Sequence, residues 1–137
     1  MDKERYLKKL DDLQQLLNEL DTVLPETYRE YQKVQTKRSC ERIAQLLIEV
    51  VIDICSMIVR DNNLGLPGSD EEIFNKLEKE RIFPHSLLAK IRGMKKFRNV
   101  LVHWCADVDD KLVFNTLRKN HQDFKDVGKA VVKYVGR

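Results

Sequence analysis

The sequence predicts an all-α fold, an up-down bundle of four or five helices built by residues 1–137 as a single domain. Three observations lead there. Apolar residues recur three and four positions apart almost everywhere, and no stretch alternates as a half-buried strand would. The periodic stretches are long and the breaks between them short, which sets neighbouring helices antiparallel. A length of 137 residues suits one hydrophobic core and leaves little room for a second.

The first helix spans about residues 2–20. Tyr6, Leu10, Leu13, Leu17, Leu20 and Leu24 step by 4, 3, 4, 3 and 4, one long seam for packing against a neighbour. Pro25 suits the start of a second, long helix ending near Arg60. The C-terminal half of that helix, CERIAQLLIEVVIDICSMIVR, is apolar nearly all round. Only Arg42, Gln45, Glu49, Asp53, Ser56 and Arg60 break it, in one narrow stripe. Such a helix is buried on most sides, either centrally or against a second chain. Asn62 to Gly68 reads as a loop by composition. Ser69, with Glu72 three residues later, forms a capping box for a short third helix to about Lys79. Gly68-Ser69 also has a superficial likeness to nucleotide-transferring enzymes, but the acidic dyad they need is missing nearby.

Pro84 opens the fourth helix. Leu87, Ile91, Met94, Phe97 and Leu101 form its apolar face, while Arg92, Lys96, Asn99 and His103 step by 4, 3 and 4 along a polar one. A fifth helix runs from about Asp109 to Val135 and carries Val113, Leu117, Phe124, Val127, Val131 and Tyr134 inward. No internal repeat or low-complexity tract interrupts the pattern.

Composition narrows the function classes. Hydrophobic residues make up 42% and charged residues 34%, the proportions of neither a disordered nor a membrane chain. Five Gly and three Pro exclude a collagenous or linker-rich chain. There is no 18-residue apolar run, and the opening MDKERYLKKL is charged rather than signal-like, so a soluble cytoplasmic protein without a membrane partner is expected. Cys40, Cys55 and Cys105 are odd in number and form no CxxC pair, which argues for free thiols in a reducing compartment. The net charge of +3, from 25 Lys and Arg against 22 Asp and Glu, says little by itself. Its distribution says more. From Arg81 to His103 the chain holds Arg81, Lys90, Arg92, Lys95, Lys96 and Arg98 and no acidic residue, a one-sided block suited to a polyanion.

A metal or cofactor is not expected. His85, His103 and His121 are 18 residues apart, and none has a His or Cys three or four positions away. No HExxH, Walker loop or Gly-rich phosphate cradle is present. The chemistry-bearing run is instead Arg98-Asn99-Val100-Leu101-Val102-His103. Asn99 and His103 are neighbours on one helical face, and Arg98, about 140° around from His103, has a side chain long enough to bend back. A guanidinium, an amide and an imidazole can thus converge on one phosphate.

At these residues the sequence resembles a family. R-N-V-L-V-H matches the R-x-x-x-x-H motif of the HEPN superfamily, and the bundle resembles its HepT-like toxins. The likeness covers the long second helix with its R-I-A-Q-L-L-I-E-V-V-I-D-I run, the short third helix, the motif closing the fourth and the final helix. It implies a metal-independent endoribonuclease, the toxin of a two-gene pair whose antitoxin is a small nucleotidyltransferase. Arg98 and His103 then take the catalytic positions and Asn99 the supporting polar one. It further implies a homodimer in which two motifs face each other across the interface.

The chemistry suits these residue types. RNA is cut without metal when its 2′-OH attacks the adjacent phosphate, which needs a base, an acid and fixed positive charge. A His with an intrinsic pKa of about 6.5 can serve as either proton carrier near neutral pH. Arg98 supplies charge and bidentate geometry. Arg92, Lys95, Lys96 and Trp104 are candidate RNA contacts, Trp104 by stacking on a base. One departure stands out: HepT-like toxins continue the motif as H-x-Y, whose Tyr accepts AMP from the antitoxin, and here Cys105 occupies that position. Glu49 and Asp53 read either as buried partners of Arg92 or Arg98 or as a solvated stripe. The rival reading of the whole chain is a non-catalytic helical module that binds nucleotide or a transferase partner.

Overall fold

Short polar side chains fix where most of the helices begin. Asp2 accepts a hydrogen bond from the N–H of Glu4 and opens α1 (Lys3–Val23). Thr27 does the same for α2 (Tyr28–Tyr31) through the N–H of Glu30, and Ser69 for α4 (Asp70–Lys79) through the N–H of Glu72. Asp109 caps α6 (Asp110–Val135) with bonds of 3.1 Å from the N–H groups of both Lys111 and Leu112. Each such cap contributes about 1 kcal/mol. The remaining helices are α3 (Val34–Asp61) and α5 (His85–Val102). These elements belong to a computed structural model that describes residues 2–66, 68–102 and 109–136. Among the described residues there is no strand.

The expected helix from Pro25 to Arg60 is broken. Lys33 adopts an extended conformation (φ −62°, ψ 129°) and separates the single turn of α2 from α3. The reason is tertiary. Between Glu26 and Arg38 only Tyr28, Tyr31 and Val34 fall at helical spacing; Val34 is exposed, and the two tyrosines are used in an aromatic cluster instead. Tyr31 is buried between Tyr28 and Phe114, with ring centroids 6.3 and 5.1 Å away, so the chain turns to deliver Tyr31 to α6 rather than continuing straight.

α3 is the central element. It buries eleven residues, from Cys40 to Val59, and packs against α1, α2, α4, α5 and α6. Of the two alternatives for its apolar surround, the central one holds, and its cover comes from its own chain. Each fully buried Leu, Ile or Val contributes roughly 1.5–3 kcal/mol to folding, which makes this helix the main source of stability. The α1 seam is as expected: Tyr6, Leu13, Leu17 and Leu20 are buried, and Leu10 and Leu24 pack against the core from its edge. The Tyr6 hydroxyl donates to Asp61 over 2.5 Å and ties the start of α1 to the end of α3. The free thiols of Cys40 and Cys55 lie in this core, where burial pushes them up to about 11 and about 12 and holds them protonated.

Candidate functional site

α5 places the basic block, and its apolar stripe sets its rotation. Leu87, Leu88, Ile91 and Met94 are buried against the core, while Phe97 and Leu101 are partly buried. Pro84 precedes the helix, its carbonyl accepting from the N–H groups of Leu87 and Leu88. Past Met94 the helix rises out of the core. Val100 and Val102 are each 47% exposed in its last turn.

The other side of α5 meets α4. α4 is short and begins with three acids, Asp70, Glu71 and Glu72. Its own position is fixed by burial of Ile73, Phe74 and Leu77 and by its cap. The expected capping box is shifted by one residue: the Glu72 carboxylate accepts from the N–H of Gly68 rather than of Ser69, over 2.7 Å. Asp70 receives the Nη2 of Arg98 at 3.2 Å, with side-chain exposures of only 27% and 22%. Arg92 is held more fully. Its Nε bonds Glu71 at 3.0 Å, its Nη1 bonds Glu78 at 3.2 Å and its Nη2 bonds Asn75 at 2.8 Å. Glu78 also meets His85 Nδ1 at 2.7 Å. The bonds from His85 and then Arg92 hold the Glu78 carboxyl below its ordinary pKa.

On the α6 side, Lys90 bonds Asp126 at 3.0 Å and lies 3.9 Å from Asp123. Those contacts raise the Lys90 pKa and lower that of Asp126. Among the described residues, Lys95 and Lys96 have no ion-pair partner. Asn99, expected from the sequence to support the motif, is exposed beside Arg98.

Glu49 and Asp53 are not partners of Arg92 or Arg98. Their stripe faces α1: Glu49 accepts from Gln45, and Asp53 pairs with Lys9 at 3.2 Å. The carboxylates that do meet α5 come from α4, above all Asp70. Sequence reasoning used the acidic turn of α4 only as a cap. The available signal was an acid-rich helix joined by a short turn to an acid-free basic one, which places opposite charges side by side.

His103, Trp104 and Cys105 lie outside the described residues. Among the described residues, no three His, Cys, Asp or Glu side chains converge as metal ligands, and no helix is long and apolar enough to cross a membrane.

Comparison with known proteins adds an independent observation. A family model described as "Ribonuclease HepT-like" matches residues 5–131. The mRNA nuclease HepT of Shewanella oneidensis is 29% identical over 89 residues, 63% of this chain and 67% of that protein. Among solved structures, the tri-AMPylated Shewanella oneidensis HEPN toxin in complex with MNT antitoxin superposes with a TM-score of 0.85 at 22% identity, over 97% of this chain and 98% of that one. YutE of Bacillus subtilis, described as a cytosolic protein of unknown function, matches with a TM-score of 0.78 at 24% identity, over 98% and 90% of the two chains. At these identities the structural matches show that the fold is shared.

Proposed function

This chain belongs to the ribonuclease HepT-like family, and on that premise we propose that it is a metal-independent endoribonuclease toxin whose cutting residues are Arg98 and His103. The observation that carries the proposal is the R-N-V-L-V-H run, whose first five residues close α5, within a family match spanning nearly the whole chain. Arg98 supports it by geometry. One Nη2 bond holds its guanidinium at Asp70, and its other N–H groups have no partner among the described residues and are left for a phosphate.

The proposed reaction is internal phosphoryl transfer. A base removes the 2′-OH proton, the 2′-oxygen bonds to phosphorus, and the bond to the 5′-oxygen breaks as an acid returns a proton to it. The products are a 2′,3′-cyclic phosphate and a free 5′-OH. His103 serves as one proton carrier, Arg98 neutralises the developing charge on the phosphorane, and Asn99 adds a donor beside it. Lys95, Lys96 and Trp104 would extend the contact along the RNA. A single imidazole cannot readily be acid and base in one turnover. A homodimer with two facing motifs solves that, and exposed Val100 and Val102 within the motif provide apolar surface for a second chain.

The test is cleavage of a broad RNA pool. His103→Ala should lose about 10²- to 10⁴-fold in rate, the span of general acid–base catalysis, with its fold intact. Arg98→Ala should lose nearly as much, and wild type should cut in EDTA. Light scattering of the same preparation should give twice the chain mass at micromolar concentration. An uncut pool, or equal cutting by His103→Ala, leaves the binding module as the better reading, and a single-chain mass removes the shared site.

The partner on this proposal is a nucleotidyltransferase antitoxin. Because Cys105 replaces the acceptor phenol, we expect it to restrain the toxin mainly by covering the groove at Arg98 and His103. Incubating the pair with ATP and magnesium and mapping adducts by mass spectrometry tests this. Stable AMP on Cys105 would refute it, and Cys105→Tyr should restore modification.

A further inference from the structure

We propose that Asp70, on the neighbouring helix α4, is the positioning residue for Arg98: it fixes where the guanidinium points while leaving the donors that a phosphate would take. The proposal rests on the reading of Arg98 as a cutting residue. The contact joins residues 28 apart in sequence and spans two helices, with Nη2 of Arg98 at 3.2 Å from Oδ2 of Asp70.

Three features suit Asp70 to hold a side chain in one place. Its backbone is anchored on both sides, by the Ser69 hydroxyl bonded to the N–H of Glu72 and by the Glu72 carboxylate bonded to the N–H of Gly68. It is the first residue of α4, where the helix dipole favours a negative charge. The helix behind it cannot drift, because Ile73, Phe74 and Leu77 are buried in the core. A long arginine has many rotamers, so a free Arg98 would be spread over many orientations.

The pairing is also sparing. Glu71, Glu78 and Asn75 consume most of the donor edge of Arg92, whereas Asp70 takes one N–H of Arg98. Arg92 is therefore locked, and Arg98 is aimed but, among the described residues, still has donors to give. A carboxylate competing with RNA for the guanidinium would make the opposite prediction, since its removal would raise activity.

The experiment compares wild type, Asp70→Asn, Asp70→Ala, Asp70→Glu, Arg98→Ala and the Asp70→Ala/Arg98→Ala double variant in steady-state RNA cleavage. Loss of aim should lower kcat of Asp70→Ala about 10- to 100-fold, with KM changed much less. Asp70→Glu should recover part of that loss. The double variant should be no slower than Arg98→Ala, since Asp70 acts only through Arg98. Unchanged or increased kcat in Asp70→Ala, or losses that multiply in the double variant, would overturn the proposal. A readout without activity separates it from the nuclease reading. The Arg98 Nε–H resonance, assigned by its absence in Arg98→Ala, should shift and exchange faster in Asp70→Asn. If wild type cuts no RNA, the nuclease reading fails, and an unmoved resonance then rejects positioning by Asp70 as well.

Discussion

The two halves of α5 carry similar basic residues and use them differently. In the first half every basic side chain is committed: His85 and Arg92 to Glu78, Arg92 also to Glu71 and Asn75, and Lys90 to Asp126. In the second half, among the described residues, Lys95 and Lys96 are unpaired and Arg98 gives a single bond to Asp70. A stretch that is free of acids in sequence is thus half neutralised in space, by carboxylates from the helices on either side. The field left for a polyanion is concentrated at the motif end. The first half of α5 fastens it to its neighbours, and the second half is the one left free, on the proposed function, to meet RNA.

Breaking the fastened half should cost stability rather than chemistry. Arg92→Ala removes three hydrogen bonds from a side chain only 22% exposed and leaves Glu71 and Glu78 without their common partner. The expected loss is about 1–2 kcal/mol in urea unfolding, the scale of charge-assisted bonds discounted for partial exposure. Cleavage at a temperature where the variant stays folded should change little. A large fall in kcat with unchanged stability would move Arg92 to the substrate-facing group and erase the distinction between the halves.

Sharpening the other half calls for the complementary outcome. Lys95→Ala/Lys96→Ala should leave unfolding within about 0.5 kcal/mol of wild type, since neither ammonium has a partner to lose among the described residues. Binding of a non-cleaved RNA analogue should weaken, and the slope of log K against log salt should shrink by about 1.4, or roughly 0.7 for each single-strand phosphate that a lysine no longer neutralises. An unaltered slope would mean that these lysines face away from the RNA.

Much of this was legible in the sequence, within limits that have physical causes. α1, α4, α5 and α6 could be read because local rules determine them: the cap at Ser69, a proline before α5, and apolar residues at helical spacing. The place of the motif at the close of this helix came from the family resemblance, whereas the rise of that helix end out of the core was not read from the sequence. The break at Lys33 did not, because it depends on Tyr31 reaching Phe114 across more than eighty residues. Asp70 was missed for a related reason. Two acids in an apolar helix, Glu49 and Asp53, looked like the partners an arginine would need, yet which neighbour their stripe faces is decided by how α1 docks on α3. Periodicity fixes the faces of a helix, and only packing decides what each face meets.

The smallest expected effect tests whether the fastening is electrostatic at all. Glu78 sits between His85 and Arg92, and those two contacts lower its pKa in the folded chain. In the unfolded chain it titrates near the ordinary Glu value of about 4.3. A group whose pKa is depressed by folding contributes stability that is fully present above that unfolded value. The contribution is lost as pH falls through the lower folded value, where the native state must also take up the proton. Glu78 is well solvated, so salt will screen the contribution and keep it modest. Urea midpoints of wild type and Glu78→Gln, measured from neutral pH down through the carboxylate range at low salt, should therefore differ most at and above about pH 5 and converge as the solution becomes more acidic. Repeating the series in high salt should narrow the gap at neutral pH. A difference that stays constant with pH would instead assign the role of Glu78 to hydrogen-bond geometry, which the glutamine would partly retain, and the first half of α5 would then be fastened by shape rather than by charge.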